Sequence, residues 1–106
     1  MIFSEKLAKQ YIDLKVQAPR HLLVMQVGAF MQVMNEGAKS VNQVTGLKLK
    51  MAGDPETPFV VGGFPKSGLD QYVGKLLRGG FSVAIALQDE EKKRHLTEKI
   101  TLYCHG

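Results

Sequence analysis

Phe30 follows a glycine turn in the run Val27-Gly28-Ala29-Phe30-Met31-Gln32, at the end of a strongly apolar segment. A large aromatic placed just after such a turn can be offered to a partner instead of the core. The partner for which an apolar wedge is best suited is a weakened base stack in DNA. Gln32, two residues on, would supply a polar contact beside it, since a neutral amide carries both a donor and an acceptor. A buried Phe30 would instead make this an ordinary small α/β domain.

Other residues that could do chemistry lack the partners that chemistry needs. Gly63-Phe64-Pro65-Lys66-Ser67-Gly68 has two glycines at the separation of a phosphate-cradling loop, but Leu69-Asp70 stands where Lys-Ser/Thr would have to follow. Without the cation and the magnesium ligand, the segment reads as turn and cap geometry, and no ATPase is expected. His21, His95 and His105 are scattered, and the adjacent pair Cys104-His105 does not have the paired spacing of a zinc site. Cys104 as a nucleophile would need an orienting base rigidly held near a chain terminus. The carboxylates gather in Asp89-Glu90-Glu91-Lys92-Lys93-Arg94, a charged connector that reads as a solvated turn rather than an acid/base pair. The expectation is a protein that is not an enzyme and takes no metal or cofactor.

Lys48, Lys50, Lys66, Lys75 and Arg78 are candidates for phosphate contacts, each neutralising one negative charge and making affinity salt-dependent. The competing reading is a solvated basic face. Fourteen Lys plus Arg against ten Asp plus Glu give a formal net charge of +4, a mild long-range attraction for polyanions. The methionines at 25, 31, 34 and 51 read as core filler or as soft, partner-facing surface.

These residues need a scaffold, and 106 residues with 44% hydrophobic and 23% charged side chains suffice for one globular domain, taken here as residues 1–106. Apolar runs are too short for a bilayer span of ~20 residues. The first residues lack the pattern of a secretory signal. A single cysteine, Cys104, excludes an intrachain disulfide and points to a reducing, cytoplasmic setting.

Ser4 is placed to cap a helix from Glu5 to Gln17, with Leu7, Tyr11 and Leu14 at helical spacing and Pro19 beyond its end. Leu22 to Val27 is a short, nearly continuous apolar run of the kind a central, doubly buried strand shows. Asn35 is read as the cap of a second helix with Ala38, Val41 and Val44 inside, stopped by Gly46. Leu47 to Met51 alternates apolar and basic residues as a half-exposed strand, broken by Gly53-Asp54-Pro55. Phe59-Val60-Val61 is a further strand closed by Gly62-Gly63. Ser67 is read as the cap of a helix carrying Leu69, Tyr72, Val73, Leu76 and Leu77 and ending at Gly79-Gly80. Phe81 to Leu87 reads as a buried strand and Leu96 to Tyr103 as an edge strand. Five or six strands interleaved with about three helices predict an α/β domain with a mixed sheet flanked by helices.

In order and spacing, several segments together resemble the N-terminal mismatch-recognition domain (domain I) of the MutS family of DNA mismatch-repair proteins. They are Gln10 to Lys15 with Leu22-Leu23, the Gly28-Ala29-Phe30-Met31-Gln32 turn, Ala38-Lys39, Pro58 through Gly63-Phe64-Pro65, Asp70 to Leu76, and Gly80 to Gln88. In that family the turn reads Gly-Asp-Phe-Tyr-Glu, the Phe stacking at the mispaired base from the minor groove and the Glu bonding the base. The resemblance therefore implies a wedge role for Phe30 and puts Gln32 at the Glu position and Ala29 at the Asp position. The apolar half of the motif is kept and the polar half is changed. A carboxylate near phosphates repels DNA generally, whereas a neutral amide does not, so the expectation is insertion of Phe30 with weaker preference for mismatched DNA. The implied partner is double-stranded DNA, mismatched or distorted, contacted by Phe30, Gln32, Lys48, Lys50 and Lys66. The clamp, lever arms and dimerising ATPase of that family do not fit in 106 residues, so the chain is an excised domain or a stand-alone relative. Kinking a duplex costs several kcal/mol that wrapped surface normally offsets. Isolated affinity in the ~10⁻⁴ to 10⁻⁶ M range of non-specific binders is therefore expected. The alternative function is an interaction module that docks on or modulates a full-length repair protein without binding DNA tightly itself.

Overall fold

Leu22, Leu23, Val24 and Met25 are all buried, because their strand lies in the middle of a sheet with helices on both faces. A computed structural model of the chain describes residues 4–102. Within them the elements run α1 (Glu5–Val16), β1 (Leu22–Val27), β2 (Phe30–Met34), α2 (Asn35–Thr45), β3 (Leu49–Asp54) and β4 (Thr57–Pro65). A short 3-10 turn (Lys66–Gly68), α3 (Leu69–Arg78), β5 (Val83–Gln88) and β6 (Arg94–Ile100) follow. The sheet has six strands in the order β3-β4-β2-β1-β5-β6. Only the β1 to β5 pairing is parallel, so the sheet is mixed.

Side chains alternate across β1 and divide the core in two. Leu23, Met25 and Val27 pack with Leu7, Tyr11 and Leu14 of α1. Leu22 and Val24 pack with Val41 of α2 and Val73 and Leu76 of α3. Ser4 caps α1, its hydroxyl accepting from Leu7 N at 3.1 Å. The buried Tyr11 hydroxyl donates to the Leu23 carbonyl at 2.7 Å and so ties α1 to β1.

The architecture is the α/β arrangement expected, and several local expectations need correction. Asn35 does not cap α2. The cap position falls on Met34, which makes no side-chain capping bond, while Asn35 takes a left-handed φ of 53° and its Oδ1 accepts from Val60 N at 3.4 Å. Ser67 lies inside the 3-10 turn, and the residue before α3 is Gly68, again without a side-chain cap. In both places a tertiary neighbour or a tighter turn replaces the local cap. Gly46, by contrast, ends α2 in the left-handed conformation expected of it.

β4 does not stop at Val61 but runs on through Gly62 and Gly63 to Pro65. A Cβ on Gly62 would stand 2.9 Å from Leu49 and 3.0 Å from Leu47, so its glycine records close packing under β3 rather than a break. β3 likewise continues through Gly53 to Asp54, which pairs with Thr57 around a Pro55-Glu56 turn. β5 begins at Val83 rather than Phe81, and the residues from Phe30 to Met34, given no element from sequence, form β2. β6 starts at Arg94 and ends at Ile100. The end expected at Tyr103 lies outside the described residues, as do Cys104 and His105. Among the described residues no helix is long and apolar enough to cross a membrane.

Candidate functional site

A two-residue hairpin presents Phe30. Val27 and Phe30 pair across the loop Gly28-Ala29, with a positive φ of 61° at Gly28 and none at Ala29, as a type II′ turn requires. That turn suits the right-handed twist of the flanking strands and needs glycine at its first central position. Phe30 opens β2 and is 44% exposed. On its other side Phe30 pairs with Pro65, the last residue of β4. Lys66, directly after it, donates its backbone N–H to the Ala29 carbonyl at 2.9 Å. The loop before Phe30 is thus held from both neighbouring strands.

Strand directions bring the basic residues to the same end of the sheet. β4 runs antiparallel to β2, so its last residues lie beside Phe30, and β3 begins near that end because it runs antiparallel to β4. Phe30, Lys48, Lys50, Gly63 and Tyr72 line one open concavity of about 480 Å³, together with the segment from Thr45 to Leu47. Lys48, Lys50 and Lys66 are all solvent-exposed. Lys66 adjoins the turn through its main chain but does not line the concavity.

Tyr72 was expected only as an inward helix position. It is half-buried, its ring stacked on Phe64 at a centroid distance of 3.9 Å and an interplanar angle of 8°. The Lys75 ammonium lies 5.7 Å from the Tyr72 ring centroid, within cation–π range. Helical periodicity marked Tyr72 as inward, and nothing local signals that its outer edge meets the groove. Lys75 therefore reaches the site through Tyr72, while Arg78 folds back toward Gly74 of its own helix.

Gln32 shares a face of β2 with Phe30 but is only 1% exposed. It pairs with Met25 on β1 and Gly63 on β4, so a strand covers it on each side. The free domain therefore presents the aromatic at the surface and keeps the amide beneath it. His95 is exposed and meets Asp89 at 2.8 Å, while the His21 ring meets the Thr101 hydroxyl at 2.8 Å. Asp89 is held below the usual carboxylate range, first by the Lys93 backbone N–H and then by His95. Among the described residues no cluster of His, Cys, Asp or Glu is arranged to hold a metal ion.

A mixed six-stranded α/β sheet thus carries an exposed aromatic hairpin beside a lysine-lined groove. The chain belongs to the MutS domain I family, whose model matches residues 5–102. It is 35% identical over 108 residues to the DNA mismatch repair protein MutS of Porphyromonas gingivalis, covering 94% of this chain and 12% of that protein. The corresponding protein of Parabacteroides distasonis is 37% identical over 100 residues, covering 93% of this chain and 11% of the relative. That of Thermus caldophilus is 38% identical over 86 residues, covering 79% and 10%. The chain thus spans only about 12% of the length of the first of these relatives.

Proposed function

We propose that this domain binds double-stranded DNA and senses mispaired or distorted steps by inserting Phe30. The observation that carries the reading is the exposed Phe30 ring beside a groove lined by Lys48 and Lys50. An apolar wedge on a rigid hairpin can enter an unstacked step, and flanking ammonium groups can hold the phosphates on either side of it. Gln32 engages only when insertion brings a base edge down onto β2, because the free domain keeps it covered. Lys66, next to the turn, serves the backbone of the same duplex. This role needs no catalysis and no cofactor, and a cytoplasmic location accords with it. Support from related chains lies in their names, DNA mismatch repair protein MutS.

The test is a salt series of fluorescence-anisotropy titrations on mismatched and matched duplexes with wild type and Phe30→Ala. The expected result is weak binding, in the ~10⁻⁴ to 10⁻⁶ M range of non-specific binders, with mismatch preference lost in the variant. If neither duplex binds at low salt, or if a folded Phe30→Ala behaves as wild type, the wedge reading fails.

A second reading, docking on a repair protein, is favoured by one observation. Ile12 and Val16 of α1 are 49% and 73% exposed and line a largely apolar concavity of about 380 Å³ with Tyr11 and Met34. Exposed apolar surface of this kind suits a protein partner. Loss of binding to a full-length repair protein on Val16→Asp, with DNA binding intact, would support it.

A further inference from the structure

Two glutamines, 62 positions apart, close a ring of hydrogen bonds around the turn that carries Phe30. The Gln26 amide spans its own hairpin, Nε2 donating to the Gly28 carbonyl at 2.9 Å. Its Oε1 accepts from the Gln88 backbone N–H at 2.8 Å. Gln88 returns the contact, its Oε1 accepting from the Gly28 N–H at 2.7 Å. The remaining Gln88 donor, Nε2, reaches the Lys92 carbonyl at 3.1 Å. Both side-chain amides thus use a donor and an acceptor in holding main-chain groups.

Neither contact follows from sheet pairing. The β1 to β5 ladder pairs Leu22 with Val83 through Met25 with Ala86, and Gln26 and Gln88 extend the connection past it by side chains. Beyond them Arg94 Nε donates to the Gln26 carbonyl at 2.6 Å, and its Nη1 donates to Gln10 Oε1 at 2.7 Å on α1. The β5 to β6 turn held through Lys92 is itself ordered, with Lys92 at a positive φ of 65° and Asp89 Oδ1 accepting from Glu91 N and Lys93 N, each at 2.9 Å. A two-residue loop otherwise fastened by its own strands and by the Lys66 N–H is tied to a second turn and, through Arg94, to a helix.

We propose that Gln26 and Gln88 are positioning residues for Phe30, fixing the Gly28-Ala29 turn so that the aromatic is pre-aligned before it meets DNA. The proposal rests on the wedge reading given above and extends it to two residues that need not touch DNA. A wedge on a loose turn must be ordered on binding, which lowers affinity for the inserted state. A turn already fixed avoids that loss. The mismatch-dependent part of binding should therefore depend on the glutamines. The lysine-dependent attraction to any duplex should not.

The test uses the isotope-labelled full chain and three variants: Gln88→Met, which keeps length and removes the two side-chain hydrogen bonds of Gln88 while its backbone N–H stays on Gln26; Gln88→Glu, which keeps an acceptor for Gly28 N; and Gln26→Met, which removes the side-chain contacts to the Gly28 carbonyl and the Gln88 N–H. In both methionine variants hydrogen exchange at the Gly28 amide should accelerate by about tenfold, and NMR order at Ala29 and Phe30 should fall, with the rest of the spectrum retained. Gln88→Glu should recover most of the Gly28 protection. In anisotropy titrations the ratio of mismatched to matched affinity should drop by about fivefold in Gln88→Met, the size of one ordinary hydrogen bond lost. It should return toward wild type in Gln88→Glu, because comparing the ratio cancels the uniform effect of the added charge. Unchanged Gly28 exchange and Phe30 order would overturn the proposal. So would a ratio unaffected by Gln88→Met when Phe30→Ala lowers it. If Phe30→Ala itself leaves the ratio unchanged, the wedge reading falls, and the positioning role is then judged by Gly28 exchange and Phe30 order alone.

Discussion

Phe30 and Gln32 stand two positions apart on one face of β2, yet Phe30 is 44% exposed and Gln32 only 1%. The difference comes from where the neighbouring strands end. Phe30 pairs with Val27 at the hairpin loop and with Pro65 at the last position of β4. Gln32 is flanked by Met25 and Gly63, well inside both ladders. An aromatic at the surface above a covered amide suits a site in which stacking comes first and hydrogen bonding follows.

That order makes the charge at position 32 informative. Gln32→Glu should weaken binding to matched duplex by about fivefold or more, since an added anion repels phosphate and a covered position is screened by water less than an exposed one. Binding to mismatched duplex should fall less, because an inserted base can offer a donor to the carboxylate. Parallel anisotropy titrations on the two duplexes check this. Equal loss on both would mean that position 32 does not discriminate.

Lys48 and Lys50 should act through phosphates alone. Each replacement by Ala should lower affinity for matched and mismatched duplex alike and reduce the steepness of log K against log salt by about 0.9. A slope unchanged in the double variant would place the duplex elsewhere on the domain. Lys75→Ala, at a residue held over the Tyr72 ring, should reduce the slope less than either.

Tyr11 tests the link between α1 and the central strand. Burial pushes its phenol well above the ordinary range, so it is the neutral hydroxyl that donates to the Leu23 carbonyl at 2.7 Å. Tyr11→Phe leaves a buried carbonyl short of a donor and should cost about 1–2 kcal/mol in urea or thermal unfolding. A tyrosine at position 11 also explains the glycine at 37. A Cβ there would come within 2.9 Å of the Tyr11 hydroxyl oxygen.

Asp89 sets a pH window for the turn between β5 and β6. Its folded pKa is depressed, first by the Lys93 N–H and then by His95, so its contribution is present above the unfolded value of about 3.9 and is lost as pH falls through the lower folded value. Amide exchange at Glu91 and Lys93, corrected for the intrinsic rate, should therefore lose protection on acidification below roughly pH 4. Asp89→Asn should flatten that dependence. Protection that persists unchanged through the acid range would mean that the Asp89 carboxylate does not hold the turn.

Much of the architecture was legible in short-range pattern. The apolar run Leu22 to Val27 could be satisfied only by burial on both faces, and it is the central strand. Helical spacing located Leu7, Tyr11 and Leu14 inside α1, and Ser4 caps it as its side chain allows. Gly28 at the turn, with an aromatic after it, marked Phe30 as a candidate for presentation. These are local properties, decided by backbone sterics and by the periodicity of apolar residues.

What lay beyond reach depends on residues far away in the chain. Asn35 and Ser67 have the chemistry of caps but are taken up by the Val60 N–H and by a 3-10 turn. Tyr72 meets Phe30's groove only because β4 carries Phe64 to it. The exposure of Phe30, the burial of Gln32 and the ring formed by Gln26 and Gln88 all follow from which strands end where. By itself the sequence determined most of the elements, though not β2, together with the turn and the aromatic that follows it. Only the tertiary structure decided which polar groups reach the surface beside it, because burial is a property of the assembled sheet and not of any one strand.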